Sequence, residues 1–155
     1  MELAFTHDLI VTNHFDPEMA MLADRHYSRR SVGARQFLYS GRKIVIRDAA
    51  GLVLFGWLFP HEDKRMDKQK GYYCAIFRNE SSRKSSEIIL ECESIAVTRW
   101  GPNRMYTYVD PAKILSVNPG YCFKRAGWTN VRRENGALWI SKAGQHLLEK
   151  KCSTI

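Results

Sequence analysis

Apolar and polar positions alternate along the chain in two distinct rhythms, and their order predicts the elements. Asp16-Pro17-Glu18 opens a helix, with an N-cap carboxylate, a proline at the first helical position and an acid facing the positive end of the dipole. Met19-Ala20-Met21-Leu22-Ala23 continues it to about His26. Lys43-Ile44-Val45-Ile46-Arg47 then leads through Asp48-Ala49-Ala50-Gly51 into Leu52-Val53-Leu54-Phe55-Gly56-Trp57, two strands of one hairpin. The run from His61 to Lys70 is charged and aperiodic, so it reads as a loop. Tyr72-Tyr73-Cys74-Ala75-Ile76-Phe77 is a strand, rich in aromatic and branched residues.

From Ser86 to Trp100 the apolar residues Ile88, Ile89, Cys92, Ile95, Ala96 and Trp100 recur at steps of three and four. Glu87, Glu91, Ser94 and Thr98 share the opposite face. That is a helix, with Ser85-Ser86-Glu87 as its cap and dipole complement; a strand would place Glu91 and Glu93 on one face with Ile89 and Ile95. Met105–Val109 is the next strand, and Asn118-Pro119 opens a short helix that Gly127 stops. Trp128–Arg132 and Leu138–Ser141 flank Asn135-Gly136, a strong hairpin signal, and Lys142 to about Lys151 reads as a closing helix. Helices and mostly antiparallel strands in this order predict an α+β fold, a mixed sheet with helices on its faces.

Composition narrows the class. The chain has 155 residues, 45% of them apolar and 26% charged, with no internal repeat, low-complexity tract or dividing linker. Residues 1–155 are therefore expected to form one domain with its own core. The formal net charge is +8 and the pI about 9.5, which favours encounter with polyanions. Nucleic acid, an acidic surface and a merely solvated basic face all remain compatible with it. Cys74, Cys92, Cys122 and Cys152 form no CxxC pair and mostly lie in apolar segments, so free, buried thiols of a reducing cytosol are expected. No apolar run approaches the roughly 20 residues of a membrane span, and the first residues lack a signal-peptide pattern. The expected location is cytoplasmic, in whatever cell makes the protein.

Three segments carry candidate chemistry. Arg78-Asn79-Glu80-Ser81-Ser82-Arg83-Lys84-Ser85-Ser86 joins a strand to a helix start, where free backbone N–H groups and two cations favour an anion. Small serines allow a pyrophosphate close approach, although the same segment is compatible with a solvated basic loop. Asn118-Pro119-Gly120-Tyr121-Cys122-Phe123-Lys124-Arg125-Ala126-Gly127-Trp128 forms a short capped helix running into an aromatic strand. Asp24-Arg25-His26-Tyr27-Ser28-Arg29-Arg30 ends the first helix, with cations that complement the dipole.

Strand, phosphate loop, helix, strand, and then a helix ending Lys-Arg-Ala-Gly-Trp resembles the core of GNAT acetyltransferases, over about Tyr72 to Trp128. In that family the acyl-CoA lies between the fourth and fifth strands. Two positions depart from the family pattern: Arg83-Lys84-Ser85-Ser86 replaces a glycine-rich pyrophosphate loop, and Phe123 stands where many members place a tyrosine general acid. His26-Tyr27-Ser28, Met105-Tyr106-Thr107-Tyr108-Val109-Asp110-Pro111 and Asn118-Pro119-Gly120-Tyr121 together resemble the Mom family of phage DNA adenine-modification proteins, regarded as divergent GNAT relatives.

That resemblance implies a transferase that adds an acyl-derived, carbamoylmethyl-type group to adenine N6 and shields phage DNA from restriction enzymes. It implies His26, Tyr27, Asp110 and Tyr121 as the catalytic set. Ile76, Phe77, Arg83, Lys84, Ser85 and Ser86 would hold acetyl-CoA, with Ser116 and Asn118 near its acyl end. Iron is an implied participant, with His26, Tyr27 and Asp110 as a hard N/O ligand set.

The N6 lone pair is delocalised into the purine, so a general base such as His26 or Asp110 would help by roughly 10²–10⁴-fold. Base chemistry on a duplex requires flipping, and Tyr27, Phe37, Tyr39, Tyr72 and Tyr73 are candidate stacking faces, although most aromatics of such a domain are core. Arg25, Arg29, Arg30, Arg35, Arg42 and Lys43 would contact phosphates; six such contacts give a log K against log salt slope of about −5. Expected partners are thus double-stranded DNA and an acyl-CoA, without a membrane, and with homodimerisation left open. Two alternatives stand beside this reading: a conventional GNAT N-acetyltransferase acting on a protein or small-molecule amine, and a DNA-binding module that keeps the GNAT shape without the activity.

Overall fold

The computed structural model describes residues 8–26, 38, 41–59, 69–113 and 120–151. It is an α+β chain, as the pattern predicts, with the order β1 (Leu9–Thr12), α1 (Pro17–Asp24), β2 (Arg42–Asp48), β3 (Val53–Phe59), β4 (Tyr72–Asn79), α2 (Ser85–Trp100), β5 (Met105–Val109), α3 (Tyr121–Arg125), β6 (Thr129–Asn130) and β7 (His146–Lys150). Two compact units result. One holds the chain to Gln69 together with Tyr73–Arg83; the other holds Lys70–Tyr72 and the chain from Lys84 onward.

In the first unit β1, β2, β3 and β4 are neighbours in that order, each antiparallel to the next. The hairpin of β2 and β3 is the one read from the sequence. Asp48 closes it, its carboxylate accepting from the N–H groups of Leu52 (2.8 Å) and Val53 (3.0 Å). Met19, Leu22 and Ala23 of α1 pack with Leu38, Val45, Leu54 and Ile76 into a buried cluster, while Met21 of the same apolar run is exposed. β1 has no counterpart among the predicted elements; two of its four side chains are exposed, which leaves little hydrophobic signal to read.

Asp16 holds the start of α1 in place. Its carboxylate accepts from the N–H groups of Glu18 (3.0 Å) and Met19 (3.2 Å), from the Thr12 hydroxyl (2.9 Å) and from Arg47 Nη1 (3.0 Å). Burial opposes its charge, yet the donated hydrogen bonds from Arg47, Thr12 and Met19 outweigh that and hold its pKa below the ordinary value. Arg47 is itself buried and pairs also with Glu18 at 2.9 Å. Asp16→Ala removes a helix cap and strips a buried guanidinium of one partner. The expected loss is about 3 kcal/mol by urea denaturation at neutral pH. Asp16→Asn, which can still cap, should lose distinctly less; equal losses in the two variants would refute the capping account.

In the second unit β7 lies between β5 and β6, antiparallel to both. This corrects the predicted closing helix. Gly144, at φ +85, sits in a turn whose N–H donates to the Ser141 carbonyl at 2.9 Å. Leu147 and Leu148, adjacent in sequence, are both fully buried, as a strand flanked by partners on both sides allows. Tertiary pairing thus overrides the helical preference of Leu-Leu-Glu-Lys.

α2 runs as predicted, burying Ile88, Ile89, Cys92 and Ala96 while Glu87, Ser94 and Thr98 face solvent. Its Glu93 accepts from the buried Trp128 indole at 2.9 Å and pairs with Lys150 at 2.7 Å, joining α2 to the chain after α3 and to β7. The predicted Asn135-Gly136 hairpin is present as a turn with a bridge between Arg132 and Leu138, while β6 itself is only two residues long. Among the described residues no helix is long and apolar enough to cross a membrane.

Candidate functional site

The join from β4 to α2 folds around Asn79. Its amide oxygen accepts from the Ser81 N–H (2.9 Å) and hydroxyl (2.6 Å), its amide nitrogen donates to the Arg83 carbonyl (2.8 Å), and the Ser81 hydroxyl accepts from the Arg83 N–H (3.2 Å). The serines expected to cap α2 therefore do not. Lys84 is the N-cap residue. Ser81 spends its hydroxyl inside the loop, and Ser85 and Ser86 already belong to the first turn. The start of this 16-residue helix thus receives no cap hydrogen bond from its N-cap side chain, the exposed Lys84. Such a terminus attracts anions through its oriented N–H groups and dipole. Arg83 is directed elsewhere, pairing with Asp8 at 2.7 Å.

Of the two β4 residues expected near a cofactor, Ile76 is buried in the α1 cluster and Phe77 packs against Phe55 at 5.3 Å between ring centroids. Their side chains belong to packing; a ligand on this strand would meet backbone.

His26 follows α1 and is half-buried. Burial first, and then the positive charge of Arg78, push its pKa down from 6.5 to about 4, against a hydrogen bond to the Phe77 backbone that pulls the other way. The imidazole is therefore neutral at physiological pH. A backbone hydrogen bond that favours the charged ring is one the ring donates.

Arg78 in turn is held by Glu80. Glu80 takes a two-pronged bond from Arg25, at 2.8 and 2.9 Å, and a third from Arg78 Nε at 2.9 Å, while Arg78 Nη1 donates to the Arg25 carbonyl at 3.2 Å. Hydrogen bonds from Arg25 and Arg78 hold the Glu80 pKa down at about 2. Glu80 was not among the expected site residues. Its signal was present all the same: it is the only carboxylate in the basic run from Arg78 to Lys84.

In the second unit Asp110 follows β5, half-buried, and its carboxylate accepts from the Ala112 N–H at 3.0 Å. Tyr121 opens α3, 56% exposed. Gly120 before it takes φ +77, and a Cβ there would meet Leu148 Cδ1 at 2.5 Å, so only glycine presents Tyr121 this way. Phe123, at the position of the family's tyrosine, is buried against Trp128 with ring centroids 4.9 Å apart. The Cys122 thiol is pushed up by burial, which keeps it from acting as a thiolate.

Among the phosphate-binding candidates, Arg25 is committed to Glu80. Arg42 is exposed with its guanidinium 5.7 Å from the Phe59 ring, and Lys43 donates to the Gly41 carbonyl at 3.0 Å. Tyr72 is core, its hydroxyl donating to the carbonyls of Trp100 (2.9 Å) and Gly101 (2.7 Å). Tyr73 is half-buried. Tyr27, Arg29, Arg30, Arg35, Phe37, Tyr39, Ser116 and Asn118 lie outside the described residues. Among the described residues no three His, Cys, Asp or Glu side chains gather as a metal centre. Tyr27, one of the three residues of the expected iron-ligand set, lies outside the described residues.

No family model matches the sequence, and no curated protein does. Among solved structures the chain is similar to a protein of Bordetella pertussis described as a GnaT-family acetyltransferase, with a TM-score of 0.53 and 14% identity over 92% of this chain and 95% of that one. It is also similar to one described as a phosphinothricin N-acetyltransferase, with a TM-score of 0.51 and 15% identity over 94% and 98%. At such identities the likeness is one of fold.

Proposed function

We propose that this chain, which has the fold of GNAT acetyltransferases, is an acyl-CoA-dependent transferase whose acceptor is adenine N6 in double-stranded DNA. Residues 1–155 act in it as one GNAT-like domain. The observation that carries the transferase reading is the start of α2 directly after β4, without a cap hydrogen bond from its N-cap side chain, where the acetyl-CoA diphosphate would accept from the first-turn amides and from Lys84. The basic surface, +8 overall, supports a polyanionic substrate. The likeness to Mom supplies adenine as the acceptor, a carbamoylmethyl-type product and protection of phage DNA from restriction as the purpose.

The roles follow from chemistry. A neutral His26 accepts the proton that N6 sheds as its nitrogen attacks; Asp110 is the second candidate acceptor. In plain acyl transfer the N6–C bond forms at the thioester carbonyl, the C–S bond breaks, and CoA leaves as a thiolate that takes up a proton. An imidazole with a pKa of about 4 is a weak base, but the ammonium formed on attack is far more acidic than a free amine, so a weak neutral base suffices. Tyr121, exposed at the head of α3, is the proposed proton donor to the leaving sulfur, a role Phe123 has no hydroxyl to fill. The step written here yields an N6-acetyl product; a carbamoylmethyl product joins N6 to a former methyl carbon and would require a two-electron oxidant and a nitrogen donor besides acetyl-CoA, so the product itself discriminates.

The test is mass spectrometry of nucleosides from DNA of cells expressing the protein. A modified deoxyadenosine that disappears with Asp110→Ala supports the reading, and its mass separates an acetyl from a carbamoylmethyl adduct. Unmodified DNA together with rapid acetylation of simple amines would replace this reading with the conventional N-acetyltransferase. That second reading is favoured by one observation, the solved structures that share the fold. Homodimerisation and cytoplasmic location accompany the proposal as expectations.

A further inference from the structure

We propose that the β-ribbon from Val131 to Ser141 is a DNA-contacting arm that lies in the major groove of the duplex. This rests on the reading of duplex DNA as substrate. The ribbon is a hairpin of two short extended segments: the Arg133 N–H donates to the Ala137 carbonyl (2.8 Å) and the Trp139 N–H to the Val131 carbonyl (2.9 Å), with Arg132 bridged to Leu138. Asn135 and Gly136 turn it tightly. The Asn135 side chain accepts from the Ala137 N–H at 3.0 Å, and Gly136 takes φ +88 with open space around it. Residues 132–137 are all exposed.

The arm's chemistry is that of a polyanion reader. Residues 129–145 contain Arg132, Arg133 and Lys142 against one carboxylate, Glu134. Among the described residues no ion pair engages any of the three cations. Arg132 donates only to the Gly136 carbonyl (2.9 Å), and Arg133 makes a long bond of 3.5 Å to the Ile140 carbonyl. The Arg133 guanidinium lies 6.0 Å from the Trp139 ring centroid, and that ring packs 6.0 Å from Tyr108. A guanidinium resting near the ring in this way keeps N–H edges for phosphate or for guanine O6 and N7. Five arginines elsewhere, Arg25, Arg47, Arg78, Arg83 and Arg104, have their charge answered by carboxylates within the fold.

Geometry selects duplex DNA over RNA. The B-form major groove, about 12 Å wide, admits a two-stranded ribbon, whereas the A-form major groove is too narrow for side chains to read. The placement also serves the proposed reaction. Ile140 bridges to His146, and His146 is the register partner of Val109, the residue before Asp110. The arm therefore springs from the end of β5 that leads into Asp110, and adenine N6 faces that same groove.

The experiment is fluorescence anisotropy with a labelled DNA duplex and a labelled RNA duplex across a salt series, for wild type, Arg132→Ala/Arg133→Ala, Arg132→Lys/Arg133→Lys and Lys142→Ala. The double alanine variant should weaken DNA binding and flatten the log K against log salt slope by about 2, and Lys142→Ala by about 1, with the lysine pair restoring the wild-type slope. Lys142 is exposed and hydrogen-bonds to none of the described residues, so its variant keeps the test alive if the double alanine protein fails to fold. Wild-type DNA binding with unchanged slope in every variant overturns the arm and leaves the substrate reading standing. No duplex binding by wild type overturns both. RNA duplex bound as tightly, with the same dependence on Arg132 and Arg133, overturns the major-groove assignment.

Discussion

His26→Ala is expected to lower the rate of DNA modification by roughly 10²–10⁴-fold, the usual worth of a positioned general base, while the affinity for acetyl-CoA stays near the wild-type value. Single-turnover rates with duplex DNA, read beside CoA binding by calorimetry, separate the two. The same side chain sets a pH dependence of stability. Its pKa in the fold is about 4, below the ordinary 6.5, so the unfolded chain takes up the proton first. The stability His26 contributes is complete above pH 6.5 and is lost progressively as pH falls towards about 4. A downshift of this size corresponds to a loss on the order of 2–3 kcal/mol. Glu80 adds a second, lower window: with its pKa held at about 2 against 4.5, its contribution is present above pH 4.5 and declines towards pH 2. His26→Asn should flatten urea midpoints between pH 6.5 and 4 and leave the lower window unchanged. A variant with wild-type turnover and a wild-type pH profile would remove His26 from both roles.

Gly71→Ala is expected to be the most destabilising glycine-to-alanine change among the described residues. Gly71 takes φ +118, and a Cβ there would overlap the backbone carbonyl of Arg104. That carbonyl cannot retreat, because it accepts from the Tyr72 N–H at 2.8 Å. Arg104 is fixed as well, its guanidinium paired with Glu149 at 2.7 Å, donating to the Lys70 carbonyl at 2.9 Å and lying 5.1 Å from the Tyr106 ring. Strained backbone and forced overpacking together cost about 3–5 kcal/mol, a fall in Tm on the order of 10 °C for a chain of this length. Gly136→Ala, where nothing lies within 4 Å, carries the φ penalty alone and serves as the control. Equal falls in the two variants would show that the close approach at Arg104 is not what matters.

Much of the architecture was legible before any coordinates, because the elements that carry it bury one regular stripe or one regular run. α1, α2 and the β2–β3 hairpin are of this kind. β1 was not legible, with alternation too short to register, and β7 was misread, since Leu147-Leu148-Glu149-Lys150 carries good helix formers and only pairing on both sides makes it a strand. The candidate site was legible by residue type and not by partner. Arg25 reads in sequence as a free cation for phosphate, but Glu80, fifty-five positions away, claims it. Ser85 and Ser86 read as caps, but Asn79 organises the turn and Lys84 takes the cap position. Nothing local in a sequence encodes such distant claims on charge.

The position of β7 between β5 and β6 also dictates an order of synthesis. A nascent chain that has not yet emitted His146–Lys150 holds β5 and β6 as two separate edges with no strand to join them, and open edges recruit strands from neighbouring chains.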